Sequence, residues 1–160
     1  MNNRYYYSCS VVDLQEIEDE KILGNLAANN DFELTLEARN SWRDQSPILR
    51  DNLSVLSEGQ LYFEYTIPRM GKRCDVILIY KDTVFVIEFK VGTQKFLKAD
   101  ERQTVDYALD LKNFHEQSHS LKIVPILIAT EAEDIENNIF FEEDNIANCQ
   151  SSSGKNLIEI

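Results

Sequence analysis

The chain of 160 residues is poor in the residues that most zinc and disulfide sites need, with only three cysteines and two histidines. The cysteines are odd in number and widely spaced, which argues against a disulfide framework and against cysteine-ligated zinc. His115 and His119 are four residues apart, but no glutamate-flanked HExxH pattern surrounds them. We therefore expect no zinc site of this kind and read the two histidines as the polar end of a helix. We expect the three cysteines to be reduced and partly buried: Cys9, Cys74 and Cys149.

Long apolar runs and a phosphate loop are missing as well. The longest apolar runs, residues 76–80 and 123–129, are far too short to cross a bilayer. The first residues, Met-Asn-Asn-Arg-Tyr-Tyr-Tyr, lack the apolar segment of a secretory signal. Gly154-Lys155 lacks the first glycine and the following Ser or Thr of a phosphate loop. We expect a cytoplasmic location, no membrane partner and no ATP hydrolysis by this chain.

Positive charge is also scarce, since 16 basic residues stand against 28 acidic ones and the net charge is −12. Such a balance disfavours non-specific binding to nucleic acid. Residues 69–102 are the exception, with eight basic and five acidic residues, a local charge of +3. These lysines and arginines either face a nucleic acid or are ordinary solvated side chains. The acidity of the rest predicts weak binding or the need for a basic partner or further domain.

Apolar periodicity predicts helices over about 11–30, 33–57 and 100–118, and strands over about 60–67, 73–80, 83–91 and 122–130. A fifth, short strand is predicted at 139–141. Ser10 or Asp13 is expected to cap the first helix and Asp100 the third, and Pro47 is a candidate break in the second. This order predicts an α/β fold with a mixed central sheet of four to five strands flanked by helices.

The sequence predicts a division of the chain into three parts. Residues 1–58 form a helical N-terminal extension packed on the core, and residues 59–148 form the core. Residues 149–160 are a linker or a truncated C-terminal segment, because Ser-Ser-Ser-Gly at 151–154 is typical of a linker. The short apolar ending that follows suggests a domain cut from a longer protein.

Two apolar strands carry charges where buried strands should carry none. If residues 81–82 form the loop of a hairpin, Tyr80 faces Thr83 and Asp75 lies opposite Glu88. Like charges directly opposite each other destabilise a sheet, and a divalent cation between them would turn repulsion into attraction. Side chains alternate along a strand, so Lys90 shares a face with Glu88.

This arrangement predicts a site for Mg²⁺ or Mn²⁺. Asp75 and Glu88 are the expected ligands, and the Phe89 carbonyl is a further one. Lys90 is expected to orient or deprotonate the attacking water, or to stabilise negative charge on a phosphate. The alternative is a salt bridge of Lys90 with Asp75 or Glu88 on a solvated sheet face, which should then be polar throughout.

The pattern of Asp75, a variable gap and Glu88-x-Lys90 resembles the PD-(D/E)XK nuclease superfamily. Gln103-x-x-x-Tyr107 is similar to the extra motif of its RecB-like branch, in which the Gln and Tyr lie beside the active site. The string from Pro68 to His115 also resembles the nuclease-like module that precedes a helicase domain in some large bacterial proteins. The likeness covers roughly residues 60–130. It departs at Cys74, where the superfamily name implies Pro, and in having no upstream histidine.

The resemblance implies a restriction-endonuclease-like core and a metal-dependent nuclease, with DNA as the expected substrate and RNA as the alternative. It implies catalytic roles for Asp75, Glu88, Lys90, Gln103 and Tyr107. Many members supply one more acid: Glu64, which faces Asp75 if residues 68–71 form a four-residue loop, or Glu37 on the preceding helix. The residues expected to contact phosphates are Arg69, Lys72 and Arg73.

Other functions stay open at this point. The chain could instead be a catalytically silent domain that binds nucleic acid or protein, or an acidic domain whose charges form salt bridges. A helicase domain, a partner protein or a second copy of the chain are the candidate partners.

Overall fold

The computed structural model describes residues 4–30 and 35–160. The first two residues of the helix predicted over 33–57 lie outside the described residues. Four helices and six strands make up the described fold. The helices are α1 (Val11–Glu16), α2 (Asp19–Ala28), α3 (Leu36–Leu53) and α4 (Lys98–Phe114). The strands are β1 (Tyr7–Ser10), β2 (Gln60–Thr66), β3 (Arg73–Tyr80), β4 (Thr83–Lys90), β5 (Lys122–Ala129) and β6 (Gln150–Ser152).

The six strands form one mixed sheet in the order β1-β2-β3-β4-β5-β6. Strands β1 to β4 run antiparallel to their neighbours, whereas β5 pairs parallel with both β4 and β6. Helix α4 connects β4 to β5, as the parallel pairing requires of a crossover. The predicted α/β class with a mixed sheet is confirmed, but the predicted count of four to five strands is too low.

The two unpredicted strands lie at the edges of the sheet. Strand β1 is four residues long and directly precedes α1, so it offers little alternation to detect. Strand β6 is Gln-Ser-Ser, a polar triplet that is nevertheless fully buried. Several of its polar groups form hydrogen bonds, such as that from the Ser151 N–H to Asn137 Oδ1. Residues 151 and 152, which were predicted to lie in a linker, are instead part of β6.

The strand predicted at 139–141 is also wrong, because Phe141 makes only an isolated bridge to Ala147. The side chains of residues 139–141 are exposed, so little burial of apolar surface would stabilise a strand there.

The helices differ from the prediction at their ends. The predicted helix over 11–30 is two helices, because the backbone is extended at Ile17 and Glu18. Ser10 caps α1, its hydroxyl accepting from the Asp13 N–H at 2.9 Å. Helix α3 runs through Pro47 without a break. Helix α4 begins two residues before Asp100, and Leu97 is its N-cap, so the cap predicted at Asp100 is wrong. Asp100 lies in the first turn, where its negative charge interacts favourably with the positive end of the helix dipole.

Two apolar clusters cover the two faces of the sheet. The α3-side cluster includes Leu14, Leu26, Trp42 and Leu49 from the first three helices. The α4-side cluster includes Tyr107, Ala108 and Leu111. None of the described helices is long and apolar enough to cross a membrane.

Candidate functional site

The hairpin of β3 and β4 has the predicted register. Its ladder runs from the Tyr80/Thr83 pair to the Val76/Ile87 pair. Beyond that point, backbone N–H groups of each strand donate to a carboxylate of the other strand. The Phe89 N–H donates to Asp75 Oδ2 at 2.8 Å, and the Asp75 N–H lies 3.4 Å from Glu88 Oε2. The predicted register is confirmed as far as the Val76/Ile87 pair, and the two side-chain bonds bring Asp75 and Glu88 near each other beyond it.

Glu64 lies beside Asp75, as the register of β2 and β3 predicts. The flanking pairs are Phe63/Val76 and Tyr65/Cys74, and the Ile67 N–H donates to the Lys72 carbonyl across the four-residue loop. Glu64 itself has a φ of +53°, in the left-handed region. This conformation costs a residue with a Cβ about 1–2 kcal/mol. The ladder is therefore interrupted at the predicted acid.

The two strands change face together at this interruption. Phe63 on β2 packs in the α3-side cluster, but Tyr65, two residues later, packs in the α4-side cluster. On β3, Cys74 packs on the α4 side and Val76 on the α3 side. Residues two apart on a regular strand share a face. Because both strands switch at the same level, the acids lie at a break that opens to both sides of the sheet.

Helix α3 supplies the partner of Glu64. The Trp42 Nε1–H donates to Glu64 Oε1 at 2.7 Å. This bond fixes the carboxylate on the α3 side of the break. Glu37, the alternative acid, is exposed in the first turn of α3.

Helix α4 supplies the partners of Lys90. Its Nζ lies 3.1 Å from Gln103 Oε1, 3.7 Å from Asp100 Oδ1 and 3.7 Å from Glu88 Oε1. Asp100 and Gln103 are three residues apart on one helix face. The ammonium group is therefore held between the sheet and the start of α4. The structure brings together Asp75, Glu88, Lys90 and Gln103.

Tyr107 is buried one turn further along α4. Burial raises the pKa of its phenol to about 12, and the charges of Glu88 and Asp75 add to the rise. The hydroxyl therefore keeps its proton at neutral pH beside the carboxylates.

The three acids have perturbed titration. Burial, with the charge of Asp75, raises the pKa of Glu64 to about 7, although the bond from Trp42 opposes the rise. Burial raises the pKa of Asp75, while the Phe89 N–H and Lys90 oppose it. For Glu88, burial and then the charge of Asp75 raise the pKa above its ordinary range. Three acids thus share a site with one nearby ammonium group, and burial disfavours their ionised forms.

The three basic candidates take different positions. Arg69 is exposed in the loop before β3, with a φ of +66°. Lys72 lies 3.5 Å from Asp110 of α4. Arg73 stacks over the Tyr6 ring at 4.6 Å and lines the cavity beside the acids. Only Arg73 therefore lies at the site itself, and contacts of all three with nucleic acid stay a prediction.

A cavity of about 370 Å³ opens on the α3 side of the break. Its polar lining combines carboxylates with a guanidinium, and its aromatic lining comes from the residue just before β1 and from α3. The lining residues are Tyr6, Asn30, Ala38, Ser41, Trp42, Glu64, Arg73 and Asp75. A ligand in it would contact Asp75.

The donor set fits a hard divalent cation in its chemistry. Asp75 and Glu88 offer carboxyl oxygens, and a bound cation would stabilise the ionised forms that burial disfavours. Over residues 4–30 and 35–160, no three His, Cys, Asp or Glu side chains form a metal-binding group. Mg²⁺ typically keeps several waters and uses one or two protein carboxylates, so a pair is compatible with it. The ligand roles predicted for Asp75, Glu88, Glu64 and the Phe89 carbonyl stay predictions.

Comparisons with protein-family models, with curated proteins and with solved structures give no match for this chain.

Sequence reasoning missed two residues of the site. Asp100 was assigned to helix capping only, yet its spacing of three from Gln103 on one helix face was a usable signal. Trp42 lies far from the charged strands in sequence and looked like an ordinary core residue. No local pattern could have linked it to Glu64.

Proposed function

We propose that this chain is a metal-dependent nuclease domain of the PD-(D/E)XK type, with a restriction-endonuclease-like core. Its expected reaction is hydrolysis of phosphodiester bonds, with DNA as the expected substrate and RNA as the alternative. The single observation that carries the proposal is the convergence of Asp75, Glu88 and Lys90 at an interrupted hairpin, beside Glu64. Structural charges without a role should not accumulate in a strand pair that is otherwise apolar.

Asp75 and Glu88 would hold Mg²⁺ or Mn²⁺. Such an ion, when bound, polarises a phosphoryl oxygen and lowers the pKa of a bound water. The residues contribute fixed geometry to this site, because each carboxylate is oriented by a backbone N–H of the opposite strand. The position of a backbone N–H does not depend on any side-chain rotamer. The two N–H groups therefore hold the carboxylates in place before a ligand binds.

Lys90 would stabilise negative charge that develops on the phosphate. Its Nζ is held by Gln103 and Asp100 as well as by Glu88, so the ammonium is fixed before substrate arrives. Pre-organised positive charge aimed at a developing anion is among the largest contributions to catalysis. Gln103 and Asp100 act as positioning residues in this scheme.

A second candidate function is a catalytically silent domain that binds a protein or nucleic acid. The specific observation in its favour is the segment between β5 and β6, where residues 131–144 carry seven acidic and no basic residues. Phe140 in this segment is 55% exposed. A helicase-containing or other basic partner would suit such a surface.

Cleavage of labelled single- and double-stranded DNA and RNA in Mg²⁺ or Mn²⁺ tests the proposal. We expect wild-type protein to cleave at least one substrate, and Asp75→Asn to abolish cleavage. Asp82→Asn, which removes an exposed acid at the hairpin loop, is the matched control and should cleave normally. Cleavage that persists in Asp75→Asn, or in excess EDTA, would contradict the proposal. No cleavage of any substrate by wild-type protein would favour the silent domain.

A further inference from the structure

A second cavity, of about 520 Å³, lies at the opposite end of α4 from Lys90. It is bounded by β2, β3 and the segment after α4. Gln103, which holds Lys90, and His115, which lines the cavity, are twelve residues apart, or about 18 Å along a helix axis. The cavity is therefore separate from the carboxylate site. Its volume falls within the usual range of small-molecule sites, about 300–1,000 Å³.

The floor of this cavity is apolar and its wall is built from tyrosines. Ile77, Val84 and Leu111 are buried beneath it. The Tyr5 and Tyr62 rings meet edge to face at 5.1 Å, and Tyr62 meets Tyr65 in the same way at 6.2 Å. Edge-to-face packing leaves aromatic surface available to a further ring, which prefers offset or edge contacts of this kind.

The rim of the cavity is basic in a chain that is strongly acidic overall. Its lining residues include Arg4 and His115 but no Asp or Glu, although the chain has 28 acids. The Arg4 guanidinium forms no ion pair within the described part of the chain. The Arg4 carbonyl accepts from the Thr66 N–H, which ties this residue to β2. An arginine side chain beside a cavity, with no carboxylate partner among the described residues, favours an anionic ligand.

His115 lines the same cavity as Arg4 but offers a hydrogen-bonding ring in place of a charge. Its Nδ1 lies 2.8 Å from the Ser118 hydroxyl. Burial, with the nearby charges of Arg4 and His119, lowers the pKa of its imidazole. At neutral pH, Arg4 is therefore the permanent charge and His115 a neutral hydrogen-bonding ring.

We propose that this cavity binds a small ligand that joins a planar aromatic ring to an anionic group, with a nucleoside monophosphate as the representative. The ring would lie among the tyrosines and over the apolar floor, and the anion would face Arg4. The inference does not rest on the nuclease proposal, because none of the residues used belongs to the carboxylate site.

Calorimetric titration in EDTA with adenosine 5′-monophosphate, uridine 5′-monophosphate, adenosine and inorganic phosphate tests the site. We expect at least one nucleotide to bind about tenfold or more tightly than adenosine or phosphate, since ring and charge are both recognised. Arg4→Gln and, separately, Tyr62→Leu should each weaken that binding about tenfold. Arg43→Gln, an exposed arginine on α3, is the matched control and should bind like wild type.

Asp75→Asn should also bind the nucleotide like wild type, which separates this site from the proposed nuclease site. Melting curves of each variant show which of them fold, and His115→Asn replaces Arg4→Gln if the latter does not. The proposal is overturned if neither nucleotide binds, if adenosine binds as tightly, or if folded variants at Arg4 or His115 and at Tyr62 retain full affinity.

Discussion

The two ends of the β3–β4 hairpin differ in backbone pairing and in chemistry. At the end that carries the loop, five consecutive pairs are in register, and Leu78 and Val86 are buried among apolar neighbours. At the other end the ladder stops, and Asp75, Glu88 and Lys90 replace apolar side chains. One strand pair therefore contains both a folding element and a candidate reaction centre.

Burial stabilises the fold at one end of the hairpin and destabilises it at the other. Burial of apolar surface stabilises the loop end by roughly 25 cal/mol for each Å² removed from water. The charged end loses solvation of its carboxylates and gains back only part of it from Lys90 and backbone N–H groups. We infer that the regular end supports the strained end, so that substitutions at the two ends should have opposite effects on stability.

Lys90→Met should produce the largest effect. If Lys90 stabilises the charge that develops on phosphate, cleavage should fall by about 100-fold or more, the usual cost of one such group. Cleavage rates at saturating Mg²⁺ measure this. Lys81→Met removes an exposed lysine at the hairpin loop and should leave the rate within about twofold, well below the cost of one stabilising group. Equal rates for Lys90→Met and wild type would remove Lys90 from the reaction.

Leu78→Ala tests the regular end. Because Leu78 is 4% exposed, its truncation should lower the free energy of unfolding by about 2–4 kcal/mol. Urea denaturation measures this change. Cleavage by the folded fraction should stay unchanged, since the side chain lies away from the carboxylates. A loss below about 1 kcal/mol would show that this end does not support the hairpin.

Glu88→Gln should raise the free energy of unfolding, whereas Leu78→Ala lowers it. Burial and the charge of Asp75 raise the pKa of Glu88, so the folded protein holds a proton that the unfolded chain releases. This contribution to stability is complete below the ordinary carboxyl pKa of about 4 and is lost as pH rises through the raised value. Without metal, Glu88→Gln should therefore be about 1 kcal/mol more stable than wild type at pH 8, with a flatter pH dependence.

Urea denaturation in EDTA at pH 5 and pH 8 measures the Glu88 effect. Asp82→Asn serves as the control because its side chain is exposed at the hairpin loop. A Glu88→Gln variant that is less stable than wild type at pH 8 would mean that Lys90 fully compensates the carboxylate.

Lys72→Met should have the smallest effect. Its ion pair with Asp110 spans 3.5 Å, and the Lys72 side chain is 47% exposed. Solvated pairs of this kind contribute at most about 0.5–1 kcal/mol, so the free energy of unfolding should change by less than about 0.5 kcal/mol. Thermal and urea unfolding of the variant measure this change. A larger loss would show that charges outside the hairpin also carry the fold.

The sequence predicted much of the charged end because strand register is a local property. Once the loop at residues 81–82 is assumed, simple pairing places Asp75 near Glu88, and the loop at 68–71 places Glu64 near Asp75. Gln103 was predicted from its motif, and the structure places it on Lys90. Alternation along β4 puts Lys90 beside Glu88.

The parts that escaped prediction depend on distant contacts. Trp42 reaches Glu64 from another helix, and no spacing rule connects them. Strand β6 is polar, and its place in the sheet is set by pairing with β5 and by hydrogen bonds exchanged between Ser151 and Asn137. The change of face at Glu64 follows from a left-handed backbone that Glu rarely adopts, so alternation alone could not predict it.

The most direct test of the account is the melting temperature of metal-free protein during titration with Mg²⁺ or Mn²⁺. If Asp75 and Glu88 hold the cation only in the folded state, excess cation should raise the melting temperature of the wild type by about 5 °C or more. Asp75→Asn should start from an equal or higher melting temperature in EDTA and show no rise. A wild-type melting temperature that ignores both cations, or that rises equally in Asp75→Asn, would contradict the claim that the charged end of the hairpin is a metal-dependent reaction centre.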